Sequence, residues 1–162
     1  MKKLAFLPII LTLLLSCSND DEGSDPQPFE PYDVAYTLVA KGSLYGNGAE
    51  GISELTLVIT NNTSWLDLME AINSYNDHSH QFEETEIDFN DYQLLVAFEE
   101  VKPNGGWSID ITKVTEQELQ IEVKIENLQT GNLTSVHTQP FHIVKIPKSD
   151  KPVVFERAYP ED

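Results

Sequence analysis

The chain has 162 residues, with 27 Asp and Glu against 10 Lys and Arg, and a formal net charge of −17. That length suits one domain, and 40% hydrophobic residues are enough for a packed core. The acidic excess argues against nucleic acid as a partner, because phosphate binding needs clustered Lys and Arg; the single Cys excludes an internal disulfide framework and a Cys-rich zinc module.

Met1-Lys2-Lys3 is a short basic start, and Leu4 to Leu15 is almost wholly apolar. A helix of that length is too short for a hydrocarbon core of roughly 30 Å, so residues 1–16 read as a signal peptide. Leu14-Leu15-Ser16-Cys17 resembles a bacterial lipobox, and the only Cys sits at its acylated position. Cys17 is thus the expected lipidation site, with acyl chains such as palmitate as the membrane anchor. Ser18 directly after it resembles lipoproteins sorted to the outer membrane. Asp20-Asp21-Glu22 reads either as a solvated spacer or as a surface-export signal. Residues 17–31 form an acidic tether with three Pro after the lipidated Cys, unable to build a core. The expected location is the outer membrane or cell surface.

A single domain is expected over residues 32–162. Tyr32 to Lys41 is β-branched and aromatic enough for a strand. Gly42, Gly46, Gly48 and Gly51 then mark a loop, without the spacing of a phosphate cradle. Ile52 to Thr60 reads as a second strand. Ser64, with Asp67 three positions on, is the expected helix N-cap. Trp65, Leu68, Met69, Ile72 and Tyr75 make an amphipathic stripe suited to packing on a sheet. Residues 76–90 are polar and acidic, a surface loop. Tyr92 to Val101 is a nearly continuous apolar run, as in a central strand buried on both faces.

Pro103-Asn104-Gly105-Gly106 predicts a tight hairpin turn, with Asn-Gly supplying positive φ. Trp107, Ile109 and Ile111 share one side, and the pattern shifts near Lys113. Leu119, Ile121, Val123 and Ile125 alternate with polar residues, so that strand has one wet face. Val136 to Ile146 and Pro152 to Ala158 give the last strands. The expected fold is α+β: one amphipathic helix packed on a mostly antiparallel sheet of about seven strands.

Three blocks carry a family resemblance. They are Ile87-Asp88-Phe89 with Tyr92 to Phe98, Lys102 to Ile111 around the Gly-Gly-Trp turn, and Thr138 to Lys148 with Pro152 to Phe155. Over about residues 87–155 the chain resembles the PrcB-like family, named for a subunit that supports a bacterial cell-surface protease complex. Asn104 stands where the family commonly has Thr, Trp107 where it has Tyr, and Glu99-Glu100 where small residues are frequent. The resemblance implies a non-catalytic binding or stabilising module and carries over no catalytic residue and no cofactor.

Other chemistry is sparse. Asp77, His78 and His80 offer metal-ligand types without the HExxH spacing of a helical zinc site. His137 and His142 are placed to point to opposite faces of a strand. No GxSxG occurs, and carboxylate pairs such as Glu83-Glu84, Asp88 with Asp91, and Glu99-Glu100 follow from the number of acids. The candidate binding element is Lys102, Pro103, Asn104, Gly105, Gly106 and Trp107, a turn that presents an aromatic anchor. Three readings compete: a lipoprotein that binds and stabilises a partner such as a protease complex, a surface protease inhibitor using the 102–107 turn, and a carbohydrate-active or metal-dependent enzyme. The charge distribution points to residues 102–155 as the place for a partner: residues 32–101 hold thirteen acids and one base, whereas residues 102–162 hold nine acids and seven bases. The near-neutral half suits protein contact.

Overall fold

A computed structural model describes residues 27–158. The signal peptide, Cys17 and most of the tether lie outside the described residues. In chain order the elements are β1 (Tyr32–Asp33), β2 (Thr37–Leu44), β3 (Leu55–Ile59), α1 (Asn62–Asn73), a 3-10 turn (Ser79–Gln81), β4 (Tyr92–Phe98), β5 (Asp110–Glu116), β6 (Ile121–Glu126), β7 (Gln139–Pro147) and β8 (Val153–Arg157). The α+β class holds, but the strands form two four-stranded sheets rather than one sheet of about seven.

The first sheet has the order β2-β7-β4-β3, with every pairing antiparallel. The second has the order β1-β5-β6-β8, and β8 runs parallel to β6. Two faces of burial explain the split. Every residue of β4 from Gln93 to Phe98 is buried, and β7 is buried over most of its length. Such strands need a layer on each side. One helix covers one face, so a second sheet must cover the other.

The two cores show this layering. Leu94, Val96, Phe98, Phe141 and Ile143 pack with Trp65 and Ile72 of α1. Leu95, Ala97, Val144 and Ile146 pack with Ile109, Ile111, Val114, Ile121, Val123 and Ile125 of the second sheet and its approach. The alternation of β6 matches its place as a one-faced covering strand, with Ile121, Val123 and Ile125 buried and Lys124 exposed. Leu119 is not part of it; it is exposed in the turn before β6.

Local signals were mostly where they belong, with instructive shifts. The helix is capped by Asn61, whose Oδ1 accepts from the Ser64 N–H at 2.9 Å, so the cap lies three residues before the expected Ser64. Trp65 and Ile72 are buried, but the helix ends at Asn73 and Tyr75 is exposed. The pattern shift near Lys113 is a β-bulge, with the register slipping between Ile111 and Lys113. The Asn-Gly turn joins no hairpin: β4 and β5 belong to different sheets, so residues 99–109 cross between layers. The φ of +78° falls on Gly106 and not on Asn104.

The glycine-spaced loop closes around its own acid. The Gly46 N–H donates to Glu50 Oε1 at 2.8 Å, and a Cβ at Gly46 would lie 2.4 Å from the carboxylate. A loop already holding a buried carboxylate has no room or charge complement for a phosphate.

Trp65 is fully buried and its Nε1–H donates to the Thr85 carbonyl at 2.8 Å, tying α1 to the 82–89 segment. Trp65→Ala is expected to lower unfolding free energy by about 3–5 kcal/mol, and the exposed neighbour change Leu66→Ala by less than about 0.5 kcal/mol; urea denaturation of both variants reads the contrast.

Candidate functional site

The 102–107 turn sits where the chain leaves the first sheet, and it is stitched to the loop between β6 and β7. Lys102 and Thr138 exchange backbone bonds of 2.7 and 3.1 Å. The Gly105 N–H donates to Thr134 O at 3.1 Å, and Gly105 O accepts from Asn132 at 2.8 Å. Gly106 O accepts from the Gly131 N–H at 3.0 Å. Thr138 Oγ1 donates to Asn104 O at 2.9 Å. The turn is therefore a fixed platform rather than a free loop.

Trp107 is half-buried on that platform. Its Nε1–H donates to Asn104 Oδ1 at 2.8 Å, and the Asn104 amide donates in turn to the Asn132 carbonyl. The Lys102 ammonium lies over the ring, 4.8 Å from its centroid. Gly131, at φ +94°, lets the ring approach: a Cβ there would sit 2.6 Å from Trp107 Cε2. Trp107 is neither a core residue nor a freely presented anchor. It forms a common wall of two clefts of about 280 and 200 Å³.

The larger cleft is lined by Glu54, Glu99, Glu100, Lys102, Asn127 and Arg157, together with Thr130 and Trp107. Arg157 at the end of β8 pairs with both Glu54 and Glu99. Lys102 pairs with Glu99 at 3.5 Å and Glu100 at 2.9 Å. Asn127 Nδ2 donates to Glu99 Oε2 and to Ser108 O, each at 2.6 Å. The hydrogen bond and charge of Lys102 hold the Glu100 carboxyl below its usual range.

Beneath this rim a second polar group bridges the sheets. Lys41 of β2 pairs with Asp110 of β5. Asp110 also accepts from Ser108 Oγ and, at 3.0 Å, from the Leu128 N–H. Burial opposes ionisation of Asp110, but the bonds from Lys41, Ser108 and Leu128 outweigh it and lower its pKa. His142 of β7 faces the same layer; its Nδ1 accepts from the Ile111 N–H at 2.8 Å. Burial, with help from the Lys41 charge, pushes His142 down to about 4.

The remaining candidate residues do not converge. His78 stacks on Tyr45, with ring centroids 6.0 Å apart, while the His80 Nδ1–H donates to the Asp77 carbonyl at 2.5 Å. No group of three His, Cys, Asp or Glu residues able to hold a metal stands together among the described residues. His137 precedes β7, and only His142 lies on that strand. Glu83 donates its backbone N–H to Val39 O at 2.9 Å, and Glu84 pairs with Lys145. Asp88 Oδ1 accepts from the Asn90 backbone and side chain, closing the turn into β4.

The sequence pattern did not single out Arg157, Asn127, Leu128 or Leu133. Leu128 is 65% exposed and Leu133 fully exposed, both on the loop that carries the platform. The break in alternation after Glu126 marks where that loop begins, but only the cross-sheet pairing reveals what it meets.

Comparison with known families bears on this region. Residues 94–147 match the family model described as PrcB C-terminal. That match runs from β4 through β7 and contains the whole platform, the 102–107 turn and the 127–138 loop alike. No match was found among the curated proteins or the solved structures. The PrcB-like segment is thus the double-faced strand pair and what joins it, whereas α1 and β8 lie outside the match.

Two tests follow from the geometry. Gly131→Ala must move the indole and adopt an unfavourable φ; a loss of roughly 1–3 kcal/mol is expected, with a displaced 19F resonance for fluorotryptophan at position 107. His142 titrates at about 4 in the fold against an ordinary 6.5. Falling pH therefore protonates the unfolded chain first. The stability from neutral burial is complete above about 6.5 and is lost progressively towards 4, by roughly 3 kcal/mol at 1.36 kcal/mol per unit. His142→Asn keeps an acceptor for Ile111 and is expected to flatten the pH dependence in that window. The contribution of the lowered Asp110 and Glu100 carboxyls is lost below it.

Proposed function

We propose that this chain is a non-catalytic, lipid-anchored module of the outer membrane or cell surface that binds and stabilises a partner protein, with a cell-surface protease complex as the partner. The observation that carries this reading is the platform at the end of the second sheet. It joins a rigid turn, a half-buried Trp107 and two exposed leucines, Leu128 and Leu133, inside the PrcB C-terminal match. An aromatic fixed by its neighbours and flanked by exposed apolar side chains costs little ordering entropy on binding.

The charges around the cleft support binding over catalysis. Glu54, Glu99 and Glu100 are each engaged by Arg157 or Lys102. A general acid or base needs a carboxyl free to exchange its proton near neutral pH, and ion pairing works against that. The lipobox-like Leu14-Leu15-Ser16-Cys17, with the chain's single Cys at the acylated position, supports the placement.

The platform also suits a wedge. Pro103 is exposed at its tip and Asn104 behind it is tied to Asn132 and Trp107, a geometry that an inhibitor of a surface protease would use. Affinity capture from envelope extract with the full-length protein separates the readings. Capture of a protease-complex component is expected, and Leu133→Asp is expected to reduce it at least about tenfold with unchanged melting temperature. Inhibition of the captured protease, lost in Pro103→Asp, is the outcome for the wedge. Undiminished capture by Leu133→Asp would remove the platform from the account.

A further inference from the structure

The opposite end of the second sheet carries a different kind of surface. There β5 ends at Glu116, β6 begins at Ile121 and β8 begins at Val153, whereas the platform adjoins Asp110, Glu126 and Arg157. Phe29 is 37% exposed, Tyr32 51% and Leu119 78%. Lys151 stands beside Phe29, and Leu119 lies two residues beyond Gln117 in the same β5–β6 turn. The Lys151 ammonium lies 4.7 Å from the Phe29 centroid and donates to Glu116 Oε1 at 2.7 Å and Gln117 O at 2.8 Å. The Phe29 and Tyr32 rings are 6.2 Å apart. Tyr32 pairs with Glu116 across β1 and β5, so the first described residues are pinned to this end.

We propose that this patch rests on a phospholipid surface and sets the domain upright, with the 102–107 platform facing away from the membrane. The proposal rests on the anchoring reading given above. What selects lipid as the occupant is where the chain outside the described residues enters. The segment carrying Leu4 to Leu15 and Cys17 reaches the fold at Gln27, two residues before Phe29. Whatever holds Cys17 in a bilayer keeps Phe29 and Tyr32 within a short tether of it, at high effective concentration.

The chemistry of the patch fits a headgroup layer. Aromatic rings and Leu119 supply apolar contact at the interface, and the Lys151 ammonium beside them is paired with Glu116. Glu30, Glu116, Glu118 and Asp150 stand among them. Acids mixed with lysines fit zwitterionic headgroups, whose ammonium groups answer the carboxylates, and disfavour a strongly anionic surface. The seven residues of β5 span about 23 Å at the usual strand rise, so an upright domain lifts the platform clear of the headgroups.

The test uses the full-length lipidated protein in phosphatidylethanolamine–phosphatidylcholine vesicles. Spin labels on Leu119→Cys and Leu133→Cys are read against a paramagnetic chelate on the headgroups. Relaxation at position 119 is expected to exceed that at position 133 at least threefold. Phe29→Ser with Tyr32→Ser is expected to halve the signal at 119, and so is enrichment in anionic lipid. Equal relaxation at both labels, or a signal at 119 indifferent to the Phe29 and Tyr32 changes, would overturn the proposal. Cys17→Ser reads the anchor separately: its persistence in the membrane fraction would end the anchoring reading, while the label contrast still reports on the patch.

Discussion

Burial of β4 and β7 on both faces governs the rest of the molecule. Leu94, Val96 and Phe98 point to the helix layer, and Leu95 and Ala97 to the second sheet. A strand pair buried on both sides cannot stand at the surface of a single sheet. It requires α1 on one side and the β5-β6 layer on the other, and it requires the chain to cross between sheets after β4. The 99–109 crossover is that passage, and the platform is built on it.

Polar bonding between the layers then fixes their relative position. Lys41 to Asp110 and Glu99 to Arg157 each join a residue of the first sheet or its end to one of the second. Buried ion pairs contribute little net stability, because desolvation offsets their attraction. Their value here is geometric: they hold the crossover and the 127–138 loop in one arrangement. Asn127 illustrates this, bonding Glu99 and the Ser108 carbonyl at once. The result is a domain with two dissimilar ends. One presents a rigid turn, Trp107 and exposed leucines; the other carries Phe29 and Tyr32 beside Lys151, with Leu119 exposed in the adjoining β5–β6 turn. The proposed role, a surface-tied module reaching for a partner, calls for that division.

Much of this was legible in the residues, for identifiable reasons. The run from Tyr92 to Val101 reads as a doubly buried strand because continuous apolarity suits burial on both faces, and the strand ends at Phe98, before the charged Glu99-Glu100. The shift near Lys113 announced the bulge between Ile111 and Lys113 because period two leaves no slack. The number of sheets was not legible, since strand pairing is non-local and Asn-Gly serves a crossover as readily as a hairpin. The helix cap moved from Ser64 to Asn61 because both are good caps and only the fold chooses between them. In the candidate site, the turn from Lys102 to Trp107 stood out by composition. Its partners did not: Asn127 and Arg157 are distant in sequence and ordinary in type. Leu133 is a lone apolar residue in a polar loop, and only its full exposure gives it meaning.

The central claim is that the platform is the partner-binding surface. Photo-crosslinking in intact cells, with a photoactivatable residue at position 133 and a control at position 66 on the exposed face of α1, tests it most directly. The account predicts a discrete crosslinked species from position 133, containing a component of a surface protease complex, and none from position 66. Crosslinking from position 66 alone would place the partner on the helix layer and contradict the account.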